Sequence, residues 1–348
     1  MMSYLQNIDM KIEKKSIHIF FVCMSFFLVY FTNTMLPLWV AIFLCSVKLH
    51  GSLITILVFM GMSPFLLMVD YINFKEYLLM FFCLISFSIY YEGHEKKFLL
   101  MYSYFLFYFI LLIFIIGDSV VDVKDVLLFN ERFYFYFNGD LVNANFIGIL
   151  TAMAAVGFYI NKKYLFLFFS LYLVFLTQSR SSIIFFISFM IFSNHLNLRK
   201  ILLSCLSIFI VISLLYISPV FERFSSGAGE SGEERILRII AHSHTLSQSF
   251  PFGFNYESYL NLSENYGTLD GVLFYLYIRF GVVGVISLIL LIIYILNNKK
   301  DDFFYYRRSI FVAFLLQGVF ESSMYGNYFV WPFLAMCFNS FKNSRCFK

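Results

Sequence analysis

The chain has 348 residues, 61% of them hydrophobic, 22% aromatic and 13% charged, with a mean hydropathy of +0.80 and a formal charge of +4. A soluble domain carries about 25% charged residues to keep its surface hydrated, so half that fraction over this length excludes a water-soluble globular protein. The positive charge is too small and too dispersed to indicate nucleic acid as a partner.

Lys11, Lys14 and Lys15 precede an apolar run from Ile17 to Phe31. No small-x-small cleavage site follows and the next apolar span begins almost at once, which predicts an uncleaved first helix rather than a signal peptide. Apolar stretches of about 15 to 21 residues then recur, each able to span much of a hydrocarbon core at about 1.5 Å per residue. They predict helices near 16–31, 34–47, 52–69, 77–91, 98–117, 142–160, 163–178, 181–194, 200–218, 270–297, 309–324 and 328–341. The spans 34–47 and 181–194 are short enough to be tilted, partly re-entrant or buried among their neighbours. The expected fold is an all-α integral membrane protein with about twelve transmembrane helices. No internal repeat or low-complexity linker divides it, so residues 1–348 are read as one polytopic domain.

Charge tests that alternation. With a cytoplasmic N-terminus, the inward segments hold 17 of the 25 lysines and arginines and the outward side holds 8, although it contains the longest loops. This is the positive-inside bias, and it places both termini in the cytoplasm. One missed helix in the middle of the chain inverts half the pattern. The outward side has a first periplasmic loop, 118–141, and a large one, 219–270, expected to contain short helices. None of the six cysteines has CxxC spacing or a neighbouring histidine, so neither a metal nor a disulfide framework is predicted.

Topology accounts for the inward charges. The outward arginines oppose the bias, and Arg180 stands out in the polar turn Thr177-Gln178-Ser179-Arg180-Ser181-Ser182 between two apolar helices. An arginine at a helix centre costs about 2.5–3.5 kcal/mol on insertion scales, and less near an end. Snorkelling to lipid phosphate or capping a helix C-terminus is one reading of Arg180, and anion binding is the other. In the large loop, Gly232 to Ser249 reads as a helix with Glu233 and Glu234 in its first turn. There Arg235, Arg238 and His242 share a face by i, i+3, i+7 spacing, and Ile236, Ile239 and Ile240 can pack elsewhere. That face is either a solvated stripe or a basic surface turned towards lipid-borne phosphates, which bidentate guanidinium groups suit. Pro251 and Gly253 then interrupt Phe250-Pro251-Phe252-Gly253-Phe254, whose aromatics are expected in the membrane interface. Glu257 and Asp270 follow, Asp270 as a candidate N-cap, and Gly281 and Gly284 are expected to permit close helix packing.

Taken in order, these features resemble the O-antigen polymerase/ligase family. They are Asn143-Ala144-Asn145 at a helix start, the Ser179-Arg180 turn, an early loop arginine, a Pro-x-Gly turn, and a polar residue opening a helix with Phe280-Gly281-x-x-Gly284. The match spans about residues 143–296. The resemblance implies an inner-membrane, metal-independent glycosyltransferase without a cofactor. It would move glycan from undecaprenyl diphosphate to a hydroxyl of another lipid-linked repeat unit on the periplasmic face, with a chain-length regulator as a further partner. It also implies that Arg180 and Arg235, with Arg238 beside them, hold the diphosphate. Ligase-like members carry a histidine near Asp270, a departure that leaves Asp270, His242, His244 and Glu257 all eligible as the base. An O-antigen ligase and a lipid-linked oligosaccharide flippase or transporter are the alternative functions.

Overall fold

A computed structural model describes residues 14–32, 34–46, 94–119, 123–127, 135–137, 140–193, 251, 253–266, 271–296, 303–319 and 328–337, with isolated positions at 75, 78–80, 82–84, 87, 133, 237 and 240. The expected spans 52–69 and 200–218 lie outside these residues, as does most of the large loop before Pro251.

The described chain is mostly helical. In order it forms α1 (Lys14–Thr32), α2 (Leu36–Ser46), α3 (Glu95–Ile116), α4 (Val123–Leu127), α5 (Ala144–Ile160), α6 (Tyr164–Thr177) and α7 (Arg180–Ser193). Then come α8 (Tyr256–Tyr266), α9 (Val272–Leu296), α10 (Phe304–Gln317) and α11 (Trp331–Ala335), the last entered through a 3-10 turn at Tyr328–Val330. Among the described residues two stretches are long and apolar enough to cross a membrane, Glu95–Ile116 and Val272–Leu290, while α5, α6 and α7 are shorter and apolar.

Among the described residues three short strands accompany the helices and leave the chain mostly helical. β1 (Asp118–Ser119), β2 (Phe135–Phe137) and β3 (Asp140–Val142) form an antiparallel sheet in that order, with Asp118 opposite Tyr136 and Phe135 opposite Val142. Strands of two or three residues are too short for a period-2 pattern to register in sequence. The sheet organises the first loop, and Phe133 N–H ties that loop to the end of α6 by donating to Leu176 O at 3.1 Å.

Helix α5 is the packing centre because it is built from small residues. Gly148, Ala152, Ala154, Ala155 and Gly157 are buried along it, which lets α3, α6 and α7 approach its backbone closely. A Cβ added at Gly157 would strike Ser103 Oγ and lie 3.0 Å from Leu99 O, so α3 crosses there at backbone distance. Aromatic rings fill the angle between α3, α5 and α6: Tyr104 has ring centroids 5.0 Å from Phe158 and 4.9 Å from Phe166, in edge contacts. Helices α7 and α10 run antiparallel, Phe185 meeting Phe314 at 4.6 Å and Phe189 meeting Tyr306 at 6.5 Å. Within the expected 328–341 helix, the described residues 328–337 form the 3-10 turn and then the short helix α11, and 338–341 lie outside the described residues. Phe329 packs among Phe26, Phe109 and Phe146, and Tyr102 donates its hydroxyl proton to Phe329 O at 2.6 Å.

These contacts sort the helix ends into two sets. At one end lie Glu95, the Asn161–Lys163 turn and Arg307; at the other lie the sheet, Asn143, the Thr177–Ser182 turn and the Val272–Gly318 contact. Arg307 departs from its expected place. Helix α10 begins at Phe304, not near 309, and so carries Arg307 into its first turn, where it is 1% exposed. Its Nη1 donates to Glu95 Oε1 at 3.4 Å, and its guanidinium lies 5.5 Å from the Phe303 ring centroid.

Removing one member of a buried ion pair costs about 3–5 kcal/mol, and the 16% exposure of Glu95 puts this pair towards or below the low end. Glu95→Gln and Arg307→Met should therefore each lower the thermal midpoint of the purified protein clearly. The double variant Glu95→Gln/Arg307→Met should recover part of that loss. Additive losses in this double-variant cycle would show that the two side chains are not coupled.

Candidate functional site

The turn that carries Arg180 is built from backbone caps and hydroxyls. Helix α6 ends at Gln178, which adopts the left-handed conformation (φ 49°) and sends its N–H to Phe175 O at 2.9 Å. Ser179 caps the start of α7: its carbonyl accepts from Ile183 N–H at 3.1 Å, and its hydroxyl receives Ser182 N–H at 3.4 Å. Ser179 Oγ also lies 2.7 Å from Ser182 Oγ and 3.2 Å from Ser181 Oγ, so the three hydroxyls bond to one another inside the protein. Thr177, Gln178, Ser179, Ser181 and Ser182 are all buried. They pack against Gly148, where an added Cβ would lie 2.6 Å from Ser182 Oγ, 2.7 Å from Ser179 Cβ and 2.9 Å from Thr177 Oγ1.

Arg180 is thus the first residue of α7, half-buried, on a turn fixed from beneath. A cation in a first helical turn opposes the helix dipole, an effect of about 0.3–1 kcal/mol, so this placement does not serve helix stability. Beside it, α5 starts as the sequence predicts, with Asn143 as N-cap accepting Asn145 N–H on Oδ1 at 2.8 Å. The antiparallel pairing of α7 with α10 brings Arg180 and Gly318 to the same end of that pair, and Val272 N–H donates to Gly318 O at 2.6 Å. The start of α9 therefore belongs to the same end of the bundle as the Arg180 turn.

Helix α9 is not a straight rod. Gly281 has φ 59° and ψ −147°, which interrupts the helix in mid-course. The bend is abrupt: a Cβ on Gly284 would lie 2.8 Å from Leu276 O, whereas eight residues of continuous helix separate atoms by about 12 Å. In an unbroken helix Val282 N–H would donate to Ile278 O. Here Ile278 O accepts from Phe254 N–H at 2.7 Å, and Val282 N–H donates to Pro251 O at 2.8 Å. The Pro-x-Gly turn replaces one helical hydrogen bond with two of its own. Gly253 (φ +84°) is needed for this, since a Cβ there would lie 2.8 Å from both Gly281 N and Ile278 O. Gly284 does permit close packing, but against the preceding turn of its own helix, while Gly281 is the break itself.

The remaining candidates divide. Glu257 lies exposed in the first turn of α8, which Asn255 caps by accepting Ser258 N–H on Oδ1 at 2.8 Å; an acidic residue is favourable there on dipole grounds alone. Arg235, Arg238, His242, His244 and Asp270 lie outside the described residues. Of the helix expected at 232–249, Leu237 and Ile240 are described as helical. Ile240, expected to pack, is 61% exposed. Arg279 is legible in the sequence as an outward arginine but not as part of this region. It is 4% exposed, with its guanidinium 5.0 Å from the Tyr259 ring centroid and 5.7 Å from that of Tyr275. The one signal in the sequence is its position two residues before Gly281 in an otherwise apolar run.

Between α1 and α3 lies an open cavity of about 390 Å³ lined by Phe20, Cys23, Met24, Met101, Tyr104 and Phe105 among others, with no charged group to contribute to transfer chemistry. Among the described residues no group of three or more His, Cys, Asp or Glu side chains is placed to hold a metal ion. Comparison with protein-family models, curated proteins and solved structures finds no match to the chain.

Gly148→Val tests how the Arg180 turn is held. Overpacking of this kind costs about 1–3 kcal/mol, and here the strain falls on Thr177, Ser179 and Ser182. Reduced thermal stability is expected, together with altered accessibility of a cysteine introduced at Arg180. Unchanged values of both would show that the turn does not rest on Gly148.

Proposed function

We propose that the chain is a polytopic inner-membrane glycosyltransferase of the O-antigen polymerase type. On this reading it has about twelve transmembrane helices, both termini in the cytoplasm, and its active face on the periplasmic side. The ordering of helix ends supports that sidedness. Lys96, Lys97, Lys162, Lys163, Arg307 and Arg308 belong to one end of the bundle, and the Arg180 turn belongs to the other. The two long apolar stretches and the three shorter apolar helices agree with a membrane setting.

The observation that carries the functional reading is the Arg180 turn. A half-buried arginine stands at a helix N-terminus against the dipole, on a fixed hydroxyl scaffold, at the end of the bundle where the large loop returns. Its proposed role, shared with Arg235 and Arg238, is to hold the diphosphate of the lipid-linked donor. The bond between the sugar anomeric carbon and the phosphate oxygen breaks with its electron pair going to the diphosphate. The acceptor hydroxyl oxygen forms the new glycosidic bond, and its proton passes to a carboxylate or imidazole, with Asp270 ranked before His242 and Glu257. The chain has no Asp-x-Asp motif, so fixed guanidinium charges are the available stabilisers of the leaving group.

A broken apolar helix is also a feature of transporters, where half-helix ends face a substrate cavity at mid-membrane. Here Ile278 O and Val282 N–H are bonded to the Pro251–Phe254 turn, which disfavours that use of the break. A ligase shares the proposed chemistry and differs only in the acceptor.

Loss of one preorganised charge stabiliser costs about 3–4 kcal/mol in the barrier, two to three decades in rate. Arg180→Ala and Arg235→Ala should each abolish chain extension while the protein inserts at normal levels, and lysine should restore only part. A deletion strain should carry lipopolysaccharide with single repeat units. Core lacking all glycan would indicate a ligase instead, and long chains persisting in both alanine variants would remove the arginines from the mechanism. Polymerisation in a cell-free assay with accessible donor separates catalysis from transport.

A further inference from the structure

We infer that Arg279 is a positioning residue, which clasps the returning arm of the large loop to the break in α9. As a diphosphate ligand it is badly placed: 4% exposed, it is covered by the rings of Tyr259, Tyr275 and Phe280 at 5.0, 5.7 and 6.0 Å, with Nη1 3.5 Å from the Tyr275 hydroxyl. What it does touch is informative. Tyr259 belongs to α8 in the loop, whereas Tyr275 and Phe280 belong to α9, so one guanidinium joins the two elements through its faces. Within a few residues, the Pro251–Phe254 turn makes the two hydrogen bonds that replace the missing helical one. The loop arm is therefore held twice on α9, by backbone bonds at the break and by the cation among the rings. A third tie, Val272 N–H to Gly318 O, fixes where the arm re-enters.

The consequence rests on the glycosyltransferase reading. Pro251 follows Arg235 by 16 residues and His242 by 9, so the clasp fixes the C-terminal side of the segment that carries the proposed donor-binding arginines. Loosening it should act on donor binding more than on bond breaking.

Hydrogen exchange on the full chain in lipid nanodiscs reads the clasp without reference to activity. Peptides spanning 253–266 and the Val282 amide should be protected in the wild type, and in Arg279→Leu they should exchange about tenfold faster while α3 and α5 peptides are unchanged. Arg279→Lys, which keeps a cation over the rings, should fall between. Should Arg279→Leu fail to fold, Tyr259→Leu removes the same contact from the loop side and should give the same result. An unprotected 253–266 segment in the wild type, or exchange there that neither variant changes, overturns the clasp. In the extension assay, Tyr259→Leu should raise the KM for lipid-linked donor about tenfold and Arg279→Lys by less, and both should leave kcat within about threefold. Faster exchange with unaltered KM overturns the positioning role. A protected wild type that extends no glycan defeats the polymerase reading, and the donor-positioning role with it, while the clasp stands.

Discussion

A buried backbone N–H or C=O must find a partner inside a protein this apolar, because apolar surroundings offer none and each orphan costs about 2–7 kcal/mol. A continuous helix meets that demand by itself. The interruption of α9 at Gly281 does not, and it explains why the loop returns where it does. Breaking the Val282-to-Ile278 bond exposes one donor and one acceptor in the middle of an apolar run. The Pro251–Phe254 segment supplies one acceptor and one donor at the matching spacing. Pro251 gives up no needed donor, since proline has none, and its carbonyl is the group used. Gly253 lets the turn come within contact distance of the α9 backbone. The break and the turn are one device written in two places, Pro-x-Gly and Gly281, almost thirty residues apart.

The same demand shapes the Arg180 turn. Between two apolar helices joined by only two residues, the freed groups at the end of α6 and the start of α7 have little water to meet. Gln178 closes one helix through a left-handed backbone, and the serine hydroxyls close the other. A residue with more volume than glycine at 148 would push into those hydroxyls. Small residues on α5 thus do two things: they bring three helices close, and they make room for a polar knot between them.

The helical content and most helix bounds are legible from runs of apolar residues, because length and hydropathy are averages over many positions. Seven of the expected stretches, from 16–31 to 181–194 where described and again at 270–297, fall on observed helices within a few residues. What escapes the sequence depends on a few atoms. The strands at 118–142 are shorter than any period. The start of α10 is shifted because Arg307 and Arg308 look like loop charges in sequence; an arginine with a carboxylate facing it is tolerated inside a helix face. Gly281 and Gly284, alike in sequence, differ because one bears a positive φ and the other a close contact, a distinction only the backbone makes. Of the candidate site, the asparagine cap and the polar turn are readable. The role of Arg279 is not, since its meaning comes from Tyr259, twenty residues earlier.

Two arginines near the same face show how backbone setting separates structure from function. Arg279 lies in the last turn of the half-helix Val272–Phe280, where the dipole favours a cation by about 0.3–1 kcal/mol, and aromatic faces complete its surroundings. Its charge is satisfied by the fold, so it has reason to be there with no ligand at all. Arg180 occupies the first turn of α7, where the dipole disfavours it by a similar amount, on a turn whose hydroxyls already bond to one another. An anion at that place would be drawn by the guanidinium and by the helix N-terminus together. The two settings therefore differ in what the backbone favours: the dipole supports a cation at Arg279 and opposes one at Arg180, so the same side chain meets opposite helix ends in the two places.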